Sequence, residues 1–222
     1  SCLVIKNDGI GDLILASGLL SSLAQHFDGA LDLVTCVENK QIAEQISGIR
    51  RTYFVTRDGL RLDRHSEKPS WRVPREDLAI LDALRNDRYD VAICLRRFIR
   101  QNSLILMQAV SARDKVCAWQ FTTSASFQTA EHFSAGWRRI AIPQTIVHEL
   151  DFNKMLVETV LQQSCDARPR LRCTDRPASI PEPQSVGLVI GGSAHLWPPK
   201  HWVWLLQQLQ HAGWKPILFG GK

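Results

Sequence analysis

The chain of 222 residues carries 27 Lys and Arg against 22 Asp and Glu, a formal charge of +5 with a pI near 9.0. With 45% hydrophobic and 22% charged residues, its composition is that of a folded globular protein, which excludes a wholly disordered chain. No apolar run approaches the ~20 residues that cross a bilayer. The basic balance points to anionic partners such as phosphates or an acidic membrane surface, and no recognition motif supports nucleic acid.

Cys2-Leu3-Val4-Ile5 is an apolar run without a polar break, which predicts a strand buried on both faces. Asn7-Asp8-Gly9-Ile10-Gly11 forms a glycine turn, and Asp12–His26 follows as an amphipathic helix. A strand, a glycine turn and a helix begin a βαβ unit. Ligands of open parallel sheets bind at the carboxyl ends of strands, so this turn points into the expected site. The turn is not G-x-G-x-x-G, because Ile14 stands where the third glycine belongs, and this argues against a nicotinamide or flavin cofactor. Asp12, at the helix start, is the sharpest candidate residue. Taken alone it reads as a helix-dipole carboxylate, and Asp8 reads as a turn residue.

Further along, Leu31–Val37 predicts a second strand, Asn39–Ser47 a short helix and Arg51–Val55 a third strand. Thr56–Arg75 is polar, Arg-rich and without apolar period, the pattern of a long surface loop. Helices are predicted at Glu76–Asn86, Leu104–Val110 and His148–Gln163, and strands at Tyr89–Leu95, Lys115–Trp119 and Arg139–Ile142. Such alternation indicates a parallel sheet with helices on both faces. Arg96, Arg97 and Arg100 follow the Tyr89–Leu95 strand, where binding residues gather.

Pro177, Pro181 and Pro183 mark a linker, after which the pattern restarts. It continues as strand Val186–Ile190, a Gly-Gly-Ser turn, helix His201–His211 and strand Pro216–Phe219. Two strands and a helix cannot bury a core of their own, so the second domain is expected to be incomplete here. The six cysteines include no C-x-x-C pair and the seven histidines show no ligand spacing. Both observations favour reduced thiols in a cytosolic protein without a metal site. Ser1–Leu20 also lacks the layout of a signal peptide.

Two blocks carry a family resemblance. Leu3-Val4-Ile5-Lys6 with Gly11-Asp12, and Val186–Ser193 leading to Pro198-Pro199-Lys200-His201-Trp202, together resemble the ADP-heptose:lipopolysaccharide heptosyltransferases of glycosyltransferase family 9. The resemblance implies a GT-B architecture, two Rossmann-like domains facing across a cleft. Residues 1–175 would be the acceptor domain, 176–184 the linker, and 185–222 the start of the nucleotide-sugar domain.

The implied activity is inverting, metal-independent transfer of a heptose or related sugar from an ADP-sugar onto an anionic lipopolysaccharide inner-core acceptor. It would require no cofactor beyond that donor substrate, and would run at the cytoplasmic face of the bacterial inner membrane by peripheral contact. By the same resemblance Asp12 is the general base, and Lys200, Ser193 and Gly192 hold the donor diphosphate. Gly11, Arg96, Arg97 and Arg100 would face the acceptor. The His195–Pro199 stretch departs from the family's usual form, and the family's later Asp-Thr-Gly motif is not among these residues, so the chain alone is expected to lack full activity. A non-catalytic module that binds a glycan or a partner is the alternative.

Overall fold

The first strand sets the architecture. In the computed structural model, which describes residues 1–57, 60–63, 70–97, 100–119, 135–172, 184–189 and 198–219, β1 (Cys2–Ile5) has all four residues fully buried. Parallel neighbours flank it on both sides, β2 (Leu31–Cys36) and β6 (Arg88–Cys94). With β3 (Ile49–Val55), β7 (Ser111–Trp119) and β8 (Arg138–Ala141) they form a six-stranded, all-parallel sheet in the order β3-β2-β1-β6-β7-β8. The chain runs outward from β1 to β3, then returns to β6 on the other side. That reversal makes the gap between the carboxyl ends of β1 and β6 the topological switch point.

Alternate residues of β1 feed two cores. Cys2 and Val4 pack with Leu13, Leu19 and Leu20 of α1 (Ile10–His26) and with Phe152 and Leu156 of α5 (Glu149–Leu161). Leu3 and Ile5 pack against the opposite layer, Leu81 and Leu84 of α3 (Arg75–Asn86) and Leu106 and Met107 of α4 (Gln101–Ala109). The period-2 alternation of a strand thus partitions one apolar run between two helical layers. This is the α/β, GT-B-type Rossmann-like arrangement expected from the sequence.

Three local departures have simple causes. Helix α1 starts at Ile10, with Gly9 as its N-cap, so Asp12 is its third residue. The predicted Asn39–Ser47 helix shortens to a 3-10 turn, Val37–Asn39, and one turn of α2, Lys40–Ala43. The region expected as an irregular loop contains an antiparallel hairpin, β4 (Arg61–Asp63) with β5 (Ser70–Arg72). Strands of three residues are too short to show a period.

Small residues on α1 admit a strap of chain against it. Ser17 Oγ accepts from the Arg170 amide at 2.8 Å, and Ser22 Oγ donates to the Asp166 carbonyl at 3.2 Å. Gly18 lies beneath this strap with no room for a side chain: a Cβ there would stand 1.9 Å from the Arg168 carbonyl oxygen.

The chain divides into two compact units, Ser1–Cys173 and Thr174–Lys222. In the second, β9 (Ser185–Val189) pairs in parallel with β10 (Lys215–Phe219), and α6 (Pro199–His211) connects them. Gly192, Ser193 and most of the expected linker lie outside the described residues.

Candidate active site

The site is built at the carboxyl end of β1. Lys6 follows the last buried residue of the strand and is itself fully buried. A buried ammonium is costly unless it is paired, and two carboxylates supply the pairing. Lys6 Nζ lies 2.6 Å from Glu149 Oε1, at the first residue of α5, and 2.9 Å from Asp8 Oδ2. The other Asp8 oxygen is 2.6 Å from Arg96 Nε, a charge contact rather than an aligned hydrogen bond. Two cations and two anions therefore neutralise one another beneath the turn.

The turn's carbonyls are also occupied. The Asn7 carbonyl accepts from Cys36 Sγ at 3.1 Å and Arg96 Nη1 at 3.3 Å. Burial holds the Cys36 thiol above its usual pKa range. The Asp8 carbonyl accepts from Asn39 Nδ2 at 3.0 Å and Arg57 Nη2 at 3.4 Å. Asn7 Oδ1 takes Ser103 Oγ at 3.0 Å and Arg96 Nη1 at 3.2 Å. Side chains at and beyond the carboxyl ends of β2, β3 and β6 thus converge on the backbone of two residues, Asn7 and Asp8, and this fixes where α1 begins.

Asp12 stands on that fixed start. Its carboxylate is half-buried, and its Oδ2 would lie 3.6 Å from a Cβ built on Gly9. Among the described residues no hydrogen bond or ion pair reaches it, and its oxygens are not sealed from solvent. The contrast with Asp8 is chemical. Asp8 is tied between Lys6 and Arg96, whereas Asp12 can accept a proton or hydrogen bond from a ligand. Gly11, beside it, is exposed, with nothing within 4 Å of a Cβ built there.

The arginines divide by what they touch. Arg96 is committed to Asp8 and Asn7. Arg97 donates from Nη1 to the Val147 carbonyl at 2.7 Å and from Nη2 to the Ile146 carbonyl, so it fixes the entry into α5. Arg100, the N-cap residue of α4, is exposed, and its guanidinium has no partner among the described residues. Lys200, the second residue of α6 after Pro199, is likewise exposed and belongs to the other compact unit.

Sequence reasoning placed Lys6 in the family block and Asn7 in the turn but gave neither a role in the site, and it passed over Asn39, Ser103 and Glu149. Only Lys6 carried a local signal, as a cation directly after a wholly apolar strand. Among the described residues no group of three His, Cys, Asp or Glu side chains gathers as a metal-ligand set, and no helix is long and apolar enough to cross a membrane.

No protein-family model matches the sequence, and no curated protein matches it. Solved structures match the fold. The chain superposes over its whole length on 69% of the E. coli heptosyltransferase WaaC bound to ADP-2-deoxy-2-fluoro heptose, with TM-score 0.70 and 20% identity. The same enzyme with ADP gives TM-score 0.68 and 19% identity over 67% of that chain. A glycosyltransferase family 9 protein from Veillonella parvula DSM 2008 gives TM-score 0.65 and 16% identity, with 99% of this chain covering 62% of that one. The chain thus spans about two thirds of the length of the structures it matches.

Proposed function

We propose that this protein is a glycosyltransferase of the heptosyltransferase type, with Asp12 as its general base. The carrying observation is the accessible, unpartnered Asp12 carboxylate on a clamped helix start at the switch point of the sheet. Solved structures of the same fold with ADP and an ADP-heptose analogue support a nucleotide-sugar donor.

In the reaction an acceptor hydroxyl oxygen forms the new bond to the anomeric carbon of the donor sugar. The bond from that carbon to the diphosphate oxygen breaks on the opposite face, and the configuration inverts. Asp12 takes the hydroxyl proton as the bond forms. Charge develops on the leaving diphosphate, and Lys200 at the start of α6, with Ser193 and Gly192, would hold it. No cofactor or metal enters this scheme.

The acceptor is an anionic glycolipid of the inner-core lipopolysaccharide class, reached by peripheral contact at the cytoplasmic face of the inner membrane. Gly11 lets the acceptor approach the helix start, and Arg100 offers an unpaired guanidinium. Arg96 and Arg97 serve that surface indirectly, through the turn and the entry to α5.

The test is transfer by the full-length protein from ADP-heptose to a Kdo-bearing lipid acceptor, with wild type compared to Asp12→Ala. Transfer that collapses on substitution while acceptor binding persists supports the reading. No transfer from any nucleotide-sugar by the folded protein would favour a non-catalytic glycan-binding module.

A further inference from the structure

We infer that Glu149 is an acceptor-binding residue, its carboxylate held by buried Lys6 so that its outer oxygen receives a sugar hydroxyl beside Asp12. The inference rests on the transferase reading for the ligand's being a sugar. Helices α1 and α5 pack side by side, and both begin at the carboxyl edge of the sheet. Asp12 is in the first turn of one and Glu149 in the first turn of the other. Glu149 and Asp8 share Lys6 as their partner, and Asp8 directly precedes Gly9, the N-cap of the helix whose third residue is Asp12.

The two oxygens of Glu149 are not equivalent. Oε1 is taken by Lys6 Nζ at 2.6 Å. Oε2 has no partner among the described residues and is not sealed from solvent. The residue's backbone is fixed from both sides: Arg97 holds the carbonyls of Ile146 and Val147, and His148 Nδ1 accepts from the Leu150 amide at 3.1 Å. A carboxylate pinned through one oxygen on a fixed helix start presents the other in one direction, so binding there loses little rotamer freedom.

An ionised carboxylate only accepts hydrogen bonds. The group it takes must therefore bring donors, as a polyhydroxylated sugar does, and an anionic substituent at that position is repelled. Glu149 thereby selects the hydroxyl-bearing face of an otherwise anionic acceptor.

The experiment is equilibrium binding of the Kdo-bearing lipid acceptor, in detergent and without donor, to the full-length protein. Glu149→Ala is expected to weaken binding about tenfold or more, the usual worth of a hydrogen bond to a charged group. Glu149→Gln keeps an oxygen for Lys6 but removes one of its two carboxylate charges; it is expected to lose less stability than Glu149→Ala, to remain folded at the binding temperature as read by circular dichroism, and to weaken binding roughly threefold to tenfold. An acceptor Kd for Glu149→Gln within twofold of wild type overturns the inference. So does an unchanged Kd combined with slower transfer, which would make Glu149 a support for Asp12 instead. Absence of acceptor binding by wild type also overturns it. Weakened binding in the variants of a protein that transfers no sugar would sustain Glu149 and refute the transferase reading alone.

Discussion

Replacing Gly18 with alanine sets two effects of one methyl group against each other. In a helix interior the change is favourable by about 0.8–1 kcal/mol, because alanine restricts the unfolded chain and suits the helix. Here the new Cβ would meet the Arg168 carbonyl oxygen at 1.9 Å and the Arg168 carbonyl carbon at 2.7 Å. Both partners are backbone, so rotation of a side chain cannot relieve the contact, and the strap must shift by about an ångström. That shift strains the hydrogen bonds from the Arg170 amide to Ser17 and from Ser22 to the Asp166 carbonyl, each worth about 0.5–1.5 kcal/mol. Overpacking adds roughly 1–3 kcal/mol.

The net for Gly18→Ala is a loss of about 2 kcal/mol, or roughly 4–8 °C in Tm for a domain of this size. Gly11→Ala on the same helix is the control. Nothing lies within 4 Å of its Cβ, so its stability should match wild type or exceed it by up to about 0.5 kcal/mol. Urea unfolding followed by circular dichroism reads both variants. A Gly18→Ala protein as stable as Gly11→Ala would refute the strap geometry.

Other predictions follow from buried polar groups. Asp32 is fully buried and takes hydrogen bonds from Arg50 and Arg51 at 2.9 Å and from the Tyr89 hydroxyl at 2.8 Å. Burial opposes its ionisation, but these bonds outweigh burial and hold its pKa below the usual range. Its stabilisation is therefore complete above the unfolded carboxylate pKa of about 3.9 and is lost as pH falls through the lower folded value. Asp32→Asn should cost about 2–3 kcal/mol at neutral pH and flatten the acid side of the stability profile; an unchanged acid limb would contradict this. Asn153 is fully buried, and both its side-chain polar atoms lack a partner among the described residues. Asn153→Leu should stabilise by about 1 kcal/mol, and a loss of stability in urea would show that the amide is held after all. Lys6→Met should cost about 3 kcal/mol by leaving Glu149 unpaired and Asp8 with Arg96 alone. Thermal denaturation that matches wild type would refute the four-charge account.

What could be read from the sequence was local. The apolar run at Cys2–Ile5, the glycine turn and the start of α1 lie within twelve residues, and their spacing predicts a strand, a turn and a helix; for Asp12 spacing alone gave a helix-dipole carboxylate, and its role as a base came from the family resemblance. The alternation of strands and helices gave the parallel sheet for the same reason. Lys6 and Glu149 are 143 residues apart, and no pattern within either segment records that they meet. Gly18 looks like any helical glycine until the strap, 150 residues later, is laid over it. Arg96 and Arg97 show where positive charge lies in the sequence; what neutralises or holds it becomes visible only in three dimensions. There, Arg96 contacts Asp8 and Asn7, while Arg97 holds carbonyls ahead of α5.

The most direct test of the central claim compares Asp12→Asn with Asp8→Asn in sugar transfer by the full-length protein. Both changes remove one carboxylate charge from neighbouring positions, but only Asp12 is free to take a proton. The account predicts that Asp12→Asn lowers kcat by about 100-fold or more with wild-type stability, while Asp8→Asn loses stability by unpairing Lys6 and Arg96. Asp12→Asn that transfers sugar at the wild-type rate would contradict it.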